Sequence, residues 1–162
     1  MKLHVFDCQK KEESAAVYYP QYTTEWFVEY RSIFGKRKEK ITMMTDRVRG
    51  GSSIADQRPS FLTKEVEPSA VMEAAMDEKE CIEEAHETVR RYYLHHARSW
   101  SVPKIKLLSS SAVYVPYHLI EKSGRWRKKK KTFLYEPMTD SADKVEKFPE
   151  IYQFIDKEAE KV

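Results

Sequence analysis

The chain predicts an α+β protein: a duplicated β-β-β-α unit forming one mainly antiparallel sheet of about six strands, with helices packed on one face. Three observations lead there. Ala16-Val17-Tyr18-Tyr19-Pro20 returns 96 positions later as Ala112-Val113-Tyr114-Val115-Pro116. Each copy runs through extended-looking sequence to a glycine and a basic run. These are Gly35-Lys36-Arg37-Lys38-Glu39-Lys40 and Gly124-Arg125-Trp126-Arg127-Lys128-Lys129-Lys130-Lys131. Each half then closes on a helical pattern. Self-similarity of this kind governs fold assignment, because a repeated unit buries its apolar face against its copy. The repeated signature is too short to place the chain in a family.

The elements follow in order. Leu3 and Val5 alternate with His4 and Phe6 in a short strand, and Lys10 to Ser14 reads as a polar turn. A second extended run starts at Ala15. Trp26, Val28, Tyr30 and Phe34 recur with period two against Glu29 and Arg31, so Thr24 to Phe34 reads as a half-buried strand. Ile41 to Thr45 is the returning strand, with Lys36 to Lys40 as the loop of a first basic hairpin. Glycines and serines at 50–53, then Arg58-Pro59 and Glu67-Pro68, predict an irregular region.

Asp77 followed by Glu80 has the spacing of a helix-capping box and opens a helix from about Glu78 to Ser99. Its apolar stripe is expected to be Ile82, Ala85, Val89, Tyr92, Tyr93 and Trp100, and Glu87 and Arg91 form a favourable i,i+4 pair. The second half repeats the order. Lys104 to Leu108 is a short strand, Ser109 to Ser111 a turn, Ala112 to Ile120 a longer strand, Gly124 a turn and Lys131 to Tyr135 the return. Pro149 suits the first turn of a closing helix, with Ile151, Tyr152, Ile155 and Ala159 near one face. The whole is expected to be one domain, 1–162, with pseudo-repeat halves at about 1–102 and 103–162.

With 41% hydrophobic and 34% charged residues, the composition is that of a soluble globular protein. No apolar run approaches the roughly 18 residues that span a bilayer, so no membrane partner is expected and a cytoplasmic location is. In that compartment Cys8 and Cys81 are expected to be free thiols. The net charge of +3 hides a segregation: Lys122 to Lys131 holds seven basic residues and no acidic one, whereas Glu65 to Glu87 holds nine acidic residues and one lysine. One part of the surface is therefore expected to be positive and the helical part negative.

No metal site and no cofactor are expected, since neither a CxxC nor an HExxH spacing occurs. A serine-nucleophile Gly-x-Ser-x-Gly motif is absent as well, and His95 and His96, adjacent on a helix, diverge rather than converge on a ligand. These absences weigh against an enzyme. The candidates for a polyanion or nucleic-acid site are Lys36, Arg37 and Lys38, with Arg125, Trp126, Arg127, Lys128, Lys129, Lys130 and Lys131. Clustered cations gain from counterion release on phosphate contact, and Trp126 offers a face for a base to stack on. A second candidate is an anion-binding loop at Arg47, Arg49, Gly50 and Gly51, where successive backbone amides lie beside two arginines.

The function these residues favour is a binding protein that uses basic hairpins to contact a nucleic acid or an acidic protein. The alternative is an assembly protein whose basic hairpins meet the acidic helices of a second copy. Less favoured is an enzyme with a cleft against the segment 52–69.

Overall fold

The computed structural model describes residues 1–7, 15–56, 59–123 and 130–161. The protein is mixed α and β, with a mostly antiparallel sheet. Among the described residues eight strands occur: β1 (Lys2–Phe6), β2 (Val17–Ser32), β3 (Gly35–Asp46), β4 (Ser52–Ala55), β5 (Phe61–Glu65), β6 (Lys104–Ser123), β7 (Lys130–Glu136) and β8 (Ser141–Lys144). Two α-helices accompany them, α1 (Glu78–His95) and α2 (Pro149–Glu160). The hydrogen-bonded order is β4-β3-β2-β6-β1-β5, with β7 joined to β6 and β8 to β7. β1 and β6 run parallel, meeting at Val5 and Tyr114, and Tyr18 makes an isolated parallel bridge to Val71.

The chain divides into two compact units, each assembled from several segments. One comprises 1–20, 60–73 and 113–162; the other comprises 21–59 and 74–112. β2 and β6 contribute residues to both. The sequence-half boundary near 102 and 103 therefore falls within a single unit.

In the unit built from 21–59 and 74–112, β2 forms because Tyr22, Trp26, Val28 and Tyr30 favour a pleated, half-buried surface. Pro20, which has no N–H to donate, immediately precedes the β2–β3 ladder, which begins at Gln21 opposite Asp46. The ladder runs without interruption to Ser32 opposite Gly35, leaving Ile33 and Phe34 as a two-residue turn. Lys36 to Lys40 are thus strand residues, paired with Phe27 to Arg31, rather than a five-residue loop. Gly35 makes the tight turn feasible by adopting φ 98°, a conformation that side chains resist.

Helix α1 starts where the capping pattern predicts: Asp77 Oδ1 accepts from the Glu80 N–H at 2.8 Å. Its buried residues Ala85, Val89 and Tyr93 pack on Trp26, Val28, Tyr30, Ile41 and Met43, flanked by Ile105 and Leu107. Burying each such large apolar side chain contributes about 1.5–3 kcal/mol.

In the unit built from 1–20, 60–73 and 113–162, β1 pairs antiparallel with β5 from Lys2–Glu65 to Phe6–Phe61. Leu3, Val5, Ala15, Tyr18 and Val66 form its core cluster, against which Tyr114 packs. β6, β7 and β8 make an antiparallel ribbon that leads to α2, whose one buried residue is Ile151.

Three expectations are corrected. The sheet has eight strands rather than six, because the region read as irregular supplies β4 and β5, each paired to an existing strand. Ser109 to Ser111 do not turn the chain; β6 passes straight through them, and Ser109 Oγ donates to Glu25 Oε2 on β2 at 3.5 Å. Serine tolerates extended backbone, and no glycine or proline is there to break it. The order strand, strand, strand, helix does not recur among the described residues, where five strands precede α1 and three lie between α1 and α2.

Candidate functional site

Strand alternation sorts β2 and β3 into two faces. Trp26, Val28 and Tyr30 meet α1 with Ile41 and Met43. The intervening residues Glu25, Phe27, Glu29 and Arg31, and opposite them Lys36, Lys38 and Lys40, lie on the face that α1 leaves uncovered. On β6, Ile105 and Leu107 join the helix-side core, which turns the exposed Lys104 and Lys106 to that same open face. Lys104, Arg31, Lys36 and Glu29 line one small depression of about 120 Å³. The result is a sheet face carrying Arg31, Lys36, Lys38, Lys40, Lys104 and Lys106 against Glu25 and Glu29.

Glu29 is the local counterion. Its carboxylate lies 3.8 Å from Lys36 Nζ and 3.9 Å from Lys38 Nζ, distances of loose, solvent-screened pairs. Six cations against two carboxylates still leave the face positive, and such a face raises the local concentration of anions around it.

Arg37 and Glu39 belong to the other face. The Arg37 guanidinium carbon lies 5.8 Å from the centroid of the Phe34 ring. Glu39 Oε1 accepts from the Tyr30 hydroxyl and Oε2 from the Tyr93 hydroxyl, both at 2.9 Å. Burial first, then the Glu39 hydrogen bond and charge, push both tyrosines above their ordinary value. Beyond this trio, Phe34, Arg37, Glu39, His96, Arg98 and Trp100 are among the residues around a surface cavity of about 480 Å³.

Of the candidates Lys36, Arg37 and Lys38, the first and last share the open face and Arg37 lies on the other. Arg31, Lys40, Lys104 and Lys106, which share the open face with Lys36 and Lys38, were not among the candidates read from the sequence. Their signal was present in the period-two spacing of Lys104 and Lys106, which becomes informative only once β6 is known to lie beside β2. Of the second basic run, Arg125, Trp126, Arg127, Lys128 and Lys129 lie outside the described residues. Lys130 and Lys131 open β7, where Lys131 is exposed and opposite Lys122.

In the loop at 47–51, predicted as an anion-binding loop, backbone amides are taken by carboxylates of the chain itself. Asp46 Oδ1 accepts from the N–H groups of Val48 and Arg49 at 2.8 and 2.9 Å, and Glu84 Oε1 accepts from the Gly51 N–H at 2.6 Å. Gly50 and Gly51 take φ 82° and 95°. Arg47 is committed to structure: its Nε donates to the Met76 carbonyl at 3.1 Å and its guanidinium carbon sits 5.7 Å from the Tyr22 ring centroid. Cys81, buried on α1 and free of any disulfide, has its thiol pushed up by desolvation, which Arg47 partly offsets. Cys8 lies outside the described residues.

Among the described residues, no group of three or more His, Cys, Asp or Glu is placed to hold a metal ion. No helix there is long and apolar enough to cross a membrane. Ser52–Ala55 and Phe61–Glu65 of the segment 52–69 are strands of the sheet. No protein family matches the chain, and no curated protein or solved structure is significantly similar to it.

Proposed function

We propose that the protein is a non-enzymatic, cytoplasmic binding protein whose open sheet face docks a polyanion, with nucleic acid as the partner. The observation that carries this reading is the convergence of Arg31, Lys36, Lys38, Lys40, Lys104 and Lys106 from three strands onto one face left uncovered by α1. Along a strand, cations at every second residue stand about 6.6–6.8 Å apart. They form a row against which a chain of phosphates can release its counterions. Charged edge residues also discourage sheet-to-sheet pairing, and in the described registers Lys36, Lys38 and Lys40 lie on the part of β3 that pairs with β2 alone, so binding rather than edge protection is what the salt series must show. The proposal extends to Arg125–Lys131 on composition alone.

The test is binding of a fluorescent oligonucleotide over a salt series. Binding at low salt that weakens steeply as salt rises is expected, with Lys36→Glu and Lys104→Glu weakening it further. No binding at low salt would remove the reading.

Charge segregation favours a second reading, self-association, because α1 exposes Glu78, Glu80 and Glu83. A mass that rises with concentration and falls with salt would support it.

A further inference from the structure

Four large apolar side chains lie at the turn end of the β2–β3 hairpin, where its two faces meet, and all are unusually exposed: Ile33 71%, Phe34 80%, Trp100 73% and Val102 72%. Isolated exposed apolar residues are ordinary, but a contiguous group at the rim of a charged face marks a contact surface. The group is held in place. The Trp100 backbone N–H donates to the Arg31 carbonyl at 2.8 Å, fixing the segment after α1 to the end of β2. The Phe34 N–H donates to Ser32 Oγ at 3.2 Å within the two-residue turn. Arg31 and Val102 also share a depression with Lys36 and Lys104, so the apolar group and the cation row are continuous.

We propose that the occupant is a single-stranded nucleic acid, whose backbone follows the cation row while bases stack on Phe34 and Trp100 at its end. This rests on the polyanion reading above and adds to it the recognition of bases. Three features favour bases over other partners. Aromatic faces beside a basic track are the means by which single strands are held without regard to sequence. Phe34 and Trp100 both border the cavity of about 480 Å³, within the range of about 300–1,000 Å³ typical of small-molecule sites. That cavity also offers Arg37, Glu39, His96 and Arg98, which supply donors and an acceptor suited to a base edge. A bilayer surface would be served by the apolar and basic residues but opposed by the Glu39 carboxylate beside them.

The experiment compares three probes with the intact protein: a single-stranded oligothymidylate, an abasic deoxyribose-phosphate chain of the same length, and phosphatidylserine vesicles. The expected result is tighter binding of oligothymidylate than of the abasic chain. Phe34→Ala/Trp100→Ala should abolish that preference, weakening oligothymidylate by roughly 5- to 150-fold while leaving the abasic chain unchanged. Both side chains are exposed, and an unchanged thermal midpoint would show the variant folded. Equal binding of both chains, insensitive to the double substitution but lost in Lys36→Glu/Lys104→Glu, would overturn base stacking and leave the polyanion reading standing. Failure of both chains to bind would overturn both. Vesicle binding that depends on Phe34 and Trp100, with no preference for the oligothymidylate, would assign the aromatic group to a lipid surface and overturn the inference.

Discussion

The Tyr93 hydroxyl on α1 donates to Oε2 of Glu39 on β3 at 2.9 Å, while Tyr30 on β2 donates to the other carboxylate oxygen at the same distance. Glu39 therefore joins the helix to two strands, and the rings of Tyr30 and Tyr93 meet with centroids 4.9 Å apart. In the sequence, Glu39 looks like a lone acid interrupting a basic run. In the fold it is the polar closure of the α1 core.

Removing the carboxylate leaves two largely buried hydroxyls to find partners in water. Glu39→Ala is expected to lower unfolding free energy by about 1–2 kcal/mol, since an unmade hydrogen bond to a charged group costs more than an ordinary one contributes. Lys38→Ala, one residue away on the open face, should change stability by no more than about 0.5 kcal/mol. Urea unfolding of the two variants checks the contrast, and equal effects would sink the assignment of Glu39.

The same contact sets a pH dependence. Burial and Glu39 raise Tyr30 and Tyr93 above the ordinary value near 10, so the native state keeps protons that the unfolded state releases. Their contribution to stability is complete below that ordinary value and is lost as pH rises through it toward the folded values. Tyrosinate absorbance should accordingly show a late-titrating group in the native protein, Tyr30 and Tyr93, that moves to lower pH in denaturant. Tyr93→Phe should reduce the late group by one.

Local signals were legible where one residue type fixes the geometry. Asp77 capped α1, Gly35 marked the turn, and the alternation of Trp26, Val28 and Tyr30 marked the buried face of β2. What could not be read were features decided by pairing. Lys36 to Lys40 are polar enough to suggest a loop, yet their backbones are held by Phe27 to Arg31, a partnership that composition does not express. The serines at 109–111 carry turn chemistry that the β2 neighbour overrides. The candidate site was legible only in part for the same reason. Lys104 and Lys106 stand more than sixty positions beyond Lys40 and join it only through strand order.

Gly35 gives a direct test of the tight turn. Nothing lies within 4 Å of where a Cβ would stand, so Gly35→Ala meets no clash and its cost is backbone strain at φ 98°. A loss of about 1–2 kcal/mol is expected from chemical denaturation, with an unchanged denaturant slope. A neutral result would mean that the turn does not require this conformation and that the two-residue hairpin is wrong.

Glu29 provides the sharpest test of the open face, because it acts against the proposed ligand. Its carboxylate lies near Lys36 and Lys38, so an incoming phosphate must compete with it for the same ammonium groups. Glu29→Gln keeps the side-chain shape and removes the competing charge. Oligonucleotide affinity should rise roughly two- to fivefold at low salt, the scale of an exposed ion pair, and the gain should fade as salt screens both interactions. Glu83→Gln on α1 removes an equal charge from an exposed helical position and serves as the control. If the two substitutions raise affinity equally, the gain reflects net charge alone, and the ligand does not lie on the face of Lys36 and Lys38. A gain confined to Glu29→Gln would place the phosphates beside those two lysines.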